Sequence, residues 1–144
     1  MNIASVLATK GGRVHTIGPG ESIRRALALL ADHGVGALVV VDETSRPIGI
    51  VSERDIVREA ARNETLFGKA VREIMTRDVV VGTPQDDLKS VSYTMTERRI
   101  RHLPVVDQGK LVGIVSIGDV VKAQRDQYEG EIDTLQVQIL GTLE

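Results

Sequence analysis

The stretch Leu38-Val39-Val40-Val41-Asp42, followed after a short turn by Gly49-Ile50-Val51-Ser52-Glu53-Arg54-Asp55, decides the fold because the chain writes it twice. Its second copy is Leu103-Pro104-Val105-Val106-Asp107 with Gly113-Ile114-Val115-Ser116-Ile117-Gly118-Asp119. Working outward, Val14 matches Val79 and Pro19 matches Pro84, so residues 14–42 repeat as 79–107 and residues 44–58 as 108–122. A repeat of this length is one supersecondary unit, too small to bury an adequate core alone, so the two copies are expected to share an interface.

Each copy predicts a β-α-β-β-α unit. Val14–Ile17 and Val79–Val81 are short β-branched stretches that end in turns at Pro19 and Pro84. Ile23, Ala26, Leu27 and Leu30 in the first copy, and Leu88, Val91 and Met95 in the second, fall at the three- and four-residue spacing of a helix. The pairs Ala37–Val41 with Ile48–Val51, and Leu103–Val106 with Leu111–Val115, are continuous aliphatic runs suited to strands buried on both faces. Ser52 and Ser116 then open the closing helices, the second of which is expected to run on with little interruption.

Outside the repeats, Ile3, Val6 and Leu7 predict a short N-terminal helix that stops at Lys10-Gly11-Gly12. The linker Ala61–Arg77 retains Leu66, Phe67, Val71, Ile74 and Met75, which predicts a short helix over Gly68–Met75 rather than a loose tether. The tail Tyr128–Glu144 sets Ile132, Leu135, Ile139, Leu140 and Leu143 at roughly helical spacing, a stripe that needs a partner surface. The fold class is therefore α/β in the α+β sense, divided as 1–65 (N-terminal helix and first repeat), 66–127 (linker and second repeat) and 128–144 (tail).

Composition narrows the function. Eighteen basic against twenty acidic residues, with only 2% aromatics, disfavour nucleic acid as the main partner. With no cysteine, neither a disulfide nor a thiolate site can form. No apolar run is long enough to span a bilayer and residues 1–10 lack the pattern of a secretion signal, so a cytoplasmic location is expected. His15, His33 and His102 have no metal-site spacing, and no metal is assigned. Lys10-Gly11-Gly12-Arg13 lacks the Gly-Lys-Ser/Thr of a phosphate loop and reads as a helix-ending turn. No nucleophile with its base and no paired carboxylates can be assembled, so no catalytic residue is assigned and an enzyme is not expected.

The segments Gly49–Asp55, Arg101-His102-Leu103-Pro104-Val105-Val106-Asp107 and Gly113–Asp119 resemble the paired CBS domain, or Bateman module, and the likeness covers almost all of Val14–Lys122. The layout resembles the bacterial CBS-pair proteins that carry no attached enzyme or transporter. The resemblance implies two intertwined units about a pseudo-two-fold axis, two clefts between them, homodimers, and adenosine ligands such as AMP, ADP, ATP, NAD or S-adenosylmethionine. Some family members show no ligand, which keeps a ligand-independent scaffold, acting through dimerisation and the C-terminal helix toward a further protein partner, as the alternative.

Ser52-x-x-Asp55 and Ser116-x-x-Asp119 carry two readings. On spacing alone each is a helix capping box. In the family pattern the aspartate accepts hydrogen bonds from ribose hydroxyls, work suited to a carboxylate with two acceptor oxygens. The crosswise clefts of the family would place Ser52, Arg54, Asp55, Val79, Val81, Arg101 and His102 in a first cleft, with Arg58 as reinforcement. The second would hold Val14, Thr16, Ala37, Ser116 and Asp119. Arg101-His102 stands where the first copy has Gly36-Ala37. Since a guanidinium is a fork for phosphate oxygens and Gly-Ala offers nothing, the first cleft is expected to prefer a phosphorylated adenosine and the second a less anionic or weaker ligand.

Overall fold

The structure of the chain, a computed structural model, describes residues 1–143; Glu144 and the side chains of Thr142 and Leu143 lie outside the described residues, so the last position of the tail stripe is not placed. The order is α1 (Ile3–Lys10), β1 (Thr16–Ile17), α2 (Ile23–His33), β2 (Ala37–Val41), β3 (Pro47–Ser52), α3 (Glu53–Ala60), α4 (Leu88–Arg98), β4 (His102–Asp107), β5 (Lys110–Ser116) and α5 (Ile117–Leu143). β1 runs parallel to β2, which pairs antiparallel with β3, and β4 pairs antiparallel with β5 in a second sheet. Both hairpins slip register at the same repeat position, Val40/Val41 and Val105/Val106.

Local chemistry explains the helix ends. Ser22 caps α2 by accepting the Arg25 amide, and Gly34 closes it in the left-handed conformation at φ 62°. Asp87 does the same for α4 by accepting the Lys89 and Ser90 amides. That helix ends at Arg99, a non-glycine residue at φ 54°. Each sheet buries one aliphatic core. The first gathers Ile17, Ile23, Ala26, Leu30, Leu38, Val40, Val51 and Ile56, and the second Leu88, Val91, Met95, Leu103, Val105, Val115 and Val120.

The expected strand at Val79–Val81 does not form. What remains is a single parallel bridge at Gly82, whose amide donates to Pro104 O (2.9 Å) and whose carbonyl accepts from the Val106 amide (2.9 Å). Gly82 occupies the register position that Ile17 holds in the first repeat, paired to Val105 as Ile17 is to Val40. Without a side chain of its own it leaves a gap in the second core, and Ile3 of α1 fills it: a Cβ on Gly82 would lie 2.9 Å from Ile3 Cδ1.

The segments flanking the repeats exchange places. α1 completes the second core with Ile3 and Val6, while the linker completes the first with Leu66 and Val71. The hydrogen bonds repeat the swap: Ile3 N donates to Asp86 O (3.0 Å) and Ala4 N to Pro84 O (2.8 Å), as Val71 N does to Glu21 O (2.8 Å) and Arg72 N to Pro19 O (3.0 Å). Gly49 and Gly113 admit these crossing segments, since an added Cβ would meet Met75 Sδ at 2.6 Å in one copy and Leu7 Cδ2 at 2.8 Å in the other. The linker helix expected over Gly68–Met75 is instead two 3-10 turns, Leu66–Gly68 and Val71–Glu73. Lys69 and Ala70 between them are extended, because the Lys69 carbonyl accepts the Ile23 amide and Ala70 bridges Ser22. α5 runs unbroken for 27 residues. Its first turns bury Val120, while beyond Gln127 it leaves Tyr128, Leu135 and Ile139 exposed.

Candidate functional site: two unequal clefts between the repeats

The Ser-x-x-Asp elements form their capping boxes. Ser52 Oγ accepts the Asp55 amide (3.2 Å), and Asp55 Oδ2 accepts both the Ser52 amide (3.0 Å) and Ser52 Oγ (3.0 Å). Each of these bonds to the carboxylate ends on Oδ2, which leaves the acceptor capacity of Oδ1 on a residue that lines the cleft. The cap thus holds the carboxylate still at the N-terminus of α3 without consuming it.

The first cleft, of about 370 Å³, joins Ser52, Arg54, Asp55 and Arg58 of the first repeat to Arg101 and His102 of the second. The crosswise construction expected from sequence holds for these residues. Arg98 and Arg99 line it too, because the left-handed backbone at Arg99 ends α4 at the cleft rim. Five arginines therefore face two carboxylates, Glu53 and Asp55, with Ile50 and Ile100 as apolar walls. Val79 and Val81 are not among the lining residues. Val81 lies in a separate groove beside Val80, Gln85 and Asp86. Thr76 takes their place, held on the edge of β3 by reciprocal bonds with Ile50 (2.9 and 3.0 Å).

The second cleft, of about 610 Å³, contains Ala37, Ser116 and Gly36 together with Lys10, Arg13, His15, Asp32, His33 and His102. Val14 and Thr16 face elsewhere, lining a groove with Thr44, Ser45 and Leu111. The reason is strand alternation: His15 between them takes the cleft side, so its neighbours take the other. Gly36-Ala37 does not leave this cleft without cations, since Lys10 and Arg13 supply them and three histidines line it.

Asp119 is engaged from within the chain. Its Oδ2 accepts the Ser116 amide (2.8 Å) and Lys10 Nζ (2.5 Å), and the same ammonium donates to Ile114 O (2.7 Å). Burial pushes the Asp119 carboxyl up, but the Lys10 and Ser116 contacts outweigh it and hold the group below its ordinary value. Asp119 consequently borders the groove between α1 and α5 rather than the open cleft. His102 stands where the two clefts meet and lines both. Burial lowers its pKa, as do Lys10 and Arg101, against the opposing pull of Asp119 and Asp55, so the ring is neutral at pH 7.

Several lining residues escaped the sequence reading. Arg98 and Arg99 belong to the run Glu97-Arg98-Arg99-Ile100-Arg101, a visible cluster of positive charge just ahead of the key strand. In the sequence Lys10 and Arg13 mark only the turn after a helix, and nothing local says that this turn abuts β5.

A duplicated α/β module with two charged, crosswise clefts is the class of protein that these features define. The CBS-domain family model matches residues 5–62 and 71–126, and the chain belongs to that family. A Thermofilum pendens protein described as an uncharacterized 33.4 kDa protein in a ribosomal RNA operon is 46% identical over 70% of this chain, which spans 33% of that longer relative. The crystal structure of a CBS-domain containing protein from Agrobacterium tumefaciens superposes with a TM-score of 0.82 at 38% identity, covering 86% of this chain and 99% of that one. The CBS domain pair of protein MJ0100, solved in complex with 5′-methylthioadenosine and S-adenosyl-L-methionine, superposes with a TM-score of 0.78 at 28% identity, covering 88% of this chain and 98% of that one.

Proposed function

We propose that this chain is a regulatory module that binds an adenosine nucleotide or related adenosine compound (AMP, ADP, ATP, NAD or S-adenosylmethionine) in its first cleft and carries out no chemistry on it. The observation that carries the reading is the first cleft itself. It sets a capped aspartate with one open carboxylate oxygen, Asp55, beside five arginines and two isoleucine walls. Ribose hydroxyls suit the carboxylate, phosphate oxygens suit the guanidinium forks, and a base suits the apolar walls. MJ0100, which binds adenosine compounds, lends support by likeness. Ligand would bias the arrangement of the repeats, and with it a dimer or partner surface, by binding one arrangement better than the other. The division at residues 65 and 127 and a cytoplasmic homodimer belong to the same reading.

Thermal-shift and calorimetric titrations with AMP, ATP and S-adenosylmethionine test it, since a ligand of the folded state raises its apparent stability. At least one compound is expected to bind, and Arg101→Ala with His102→Ala is expected to weaken a phosphorylated ligand about ten-fold or more. No binding of any compound by the wild-type chain would overturn the reading. That result would favour the scaffold, for which the exposed Tyr128, Leu135, Ile139 and Leu140 of α5 are the specific observation.

A further inference from the structure

The chain has three histidines, and the fold brings all of them to the second cleft. They come from three distant places: His15 just ahead of β1, His33 in the last turn of α2, and His102 at the start of β4. His15 and His33 stack, with ring centroids 3.8 Å apart and planes 14° from parallel. Lys10 and Arg13 line the same space, and Asp32 is its one lining carboxylate.

We propose that the second cleft is an anion site that takes the phosphate chain of its ligand against the His15–His33 pair and Arg13, and that it takes up a proton as it does so. Two stacked imidazolium rings repel each other, so without an anion the pair holds at most one proton near neutral pH. Burial lowers the pKa of His15, and His33 and Arg13 lower it further. The surrounding charges are mixed: Lys10 from α1, Arg13 from the loop before β1, Asp32 from α2, and His102 from β4. Of these Lys10 is committed to Asp119. A di- or triphosphate laid along the ring edges supplies the negative charge that makes the second protonation favourable, and by linkage acidification tightens the anion.

A metal ion does not suit this pair. The nitrogen lone pairs of two near-parallel stacked rings, with centroids 3.8 Å apart, lie in separate planes, so they do not converge on one point. Among the described residues there is no group of three side chains able to hold a metal. Ribose is disfavoured as the anchoring group, because Asp119, the carboxylate that would accept its hydroxyls, pairs with Lys10 in the groove between α1 and α5 and does not line this cleft. The proposal extends the nucleotide reading to the second cleft while resting on separate geometry.

Tripolyphosphate is the probe, followed by NMR of the histidine ring protons across pH 5 to 8 in the full chain carrying Arg101→Ala to weaken the first cleft. Tripolyphosphate is expected to raise the midpoints of His15 and His33, and its affinity is expected to increase about ten-fold or more per proton taken up between pH 7.5 and 6. His33→Gln, a change on the exposed face of α2, is expected to remove most of that pH dependence while leaving the fold intact. Unmoved midpoints at saturating tripolyphosphate, or an undiminished pH dependence in His33→Gln, would overturn the proposal. Adenosine binding at the first cleft with unmoved His15 and His33 sinks this inference alone. Shifted histidines in a chain that no adenosine compound stabilises uphold it and sink the nucleotide reading alone.

Discussion

Ile3 is fully buried, and it occupies space that Gly82 leaves open in the second core. Replacing it with alanine removes three carbons from a site that the rigid hairpin β4–β5 cannot collapse to fill, and the expected loss is about 3 kcal/mol. For a chain of 144 residues, each kcal/mol lowers the melting temperature by about 3 °C, so Ile3→Ala is expected to melt about 10 °C lower. Gly82→Ala acts in the opposite sense, because its Cβ would stand 2.7 Å from Leu103 Cδ2 and 2.9 Å from Ile3 Cδ1, an overpacking cost of about 2 kcal/mol. The backbone there is not left-handed, so the penalty is one of packing alone. Combined, the substitutions are expected to cost about 1 kcal/mol less than their sum, since the Ile3 clash disappears while the Leu103 clash stays. Urea unfolding followed by circular dichroism, run as a double-mutant cycle, measures that coupling. Strict additivity, or an Ile3→Ala loss below about 1 kcal/mol, would refute the assignment of α1 to the second core.

Three further outcomes are expected. Lys10→Met should cost less than about 1 kcal/mol, because the Lys10–Asp119 pair is 31% and 26% exposed. As the Asp119 carboxyl is held low, that contribution is complete above the ordinary carboxylate range, and the gap in urea midpoint between Lys10→Met and wild type should close as pH falls below about 4. His15 and His102 both have lowered values, so the unfolded chain takes up protons first on acidification. Stability is therefore complete above about pH 6.5 and lost as pH falls through the lowered values, and His102→Gln should flatten that slope between pH 7.5 and pH 5. Truncation after Gln127 should leave the melting temperature within about 2 °C, because the described tail residues Tyr128–Gly141 of α5 are all exposed; a larger drop would mean the tail has a folded-state partner.

The sequence alone determined the duplication, the paired hairpins, the helices within the repeats and the two capping boxes, because each depends on short-range periodicity or on a spacing of three residues. It also led to the first cleft through Ser52, Asp55 and Arg101, since the repeat placed the caps and the mismatch with Gly36-Ala37 marked the cations. The second cleft was legible only in part. Ala37 and Ser116 are there, but Val14 and Thr16 turn away while His15 turns in, a difference of strand parity that two β-branched residues around a histidine do not reveal. The tertiary structure alone decided that Ile3 stands in for the side chain Gly82 lacks, that Lys10 reaches Asp119 across 109 residues, and that three histidines with no common spacing share one cavity. Those contacts join segments that are remote in the chain, and their existence depends on how the flanking segments exchange between the repeats, which no local pattern encodes.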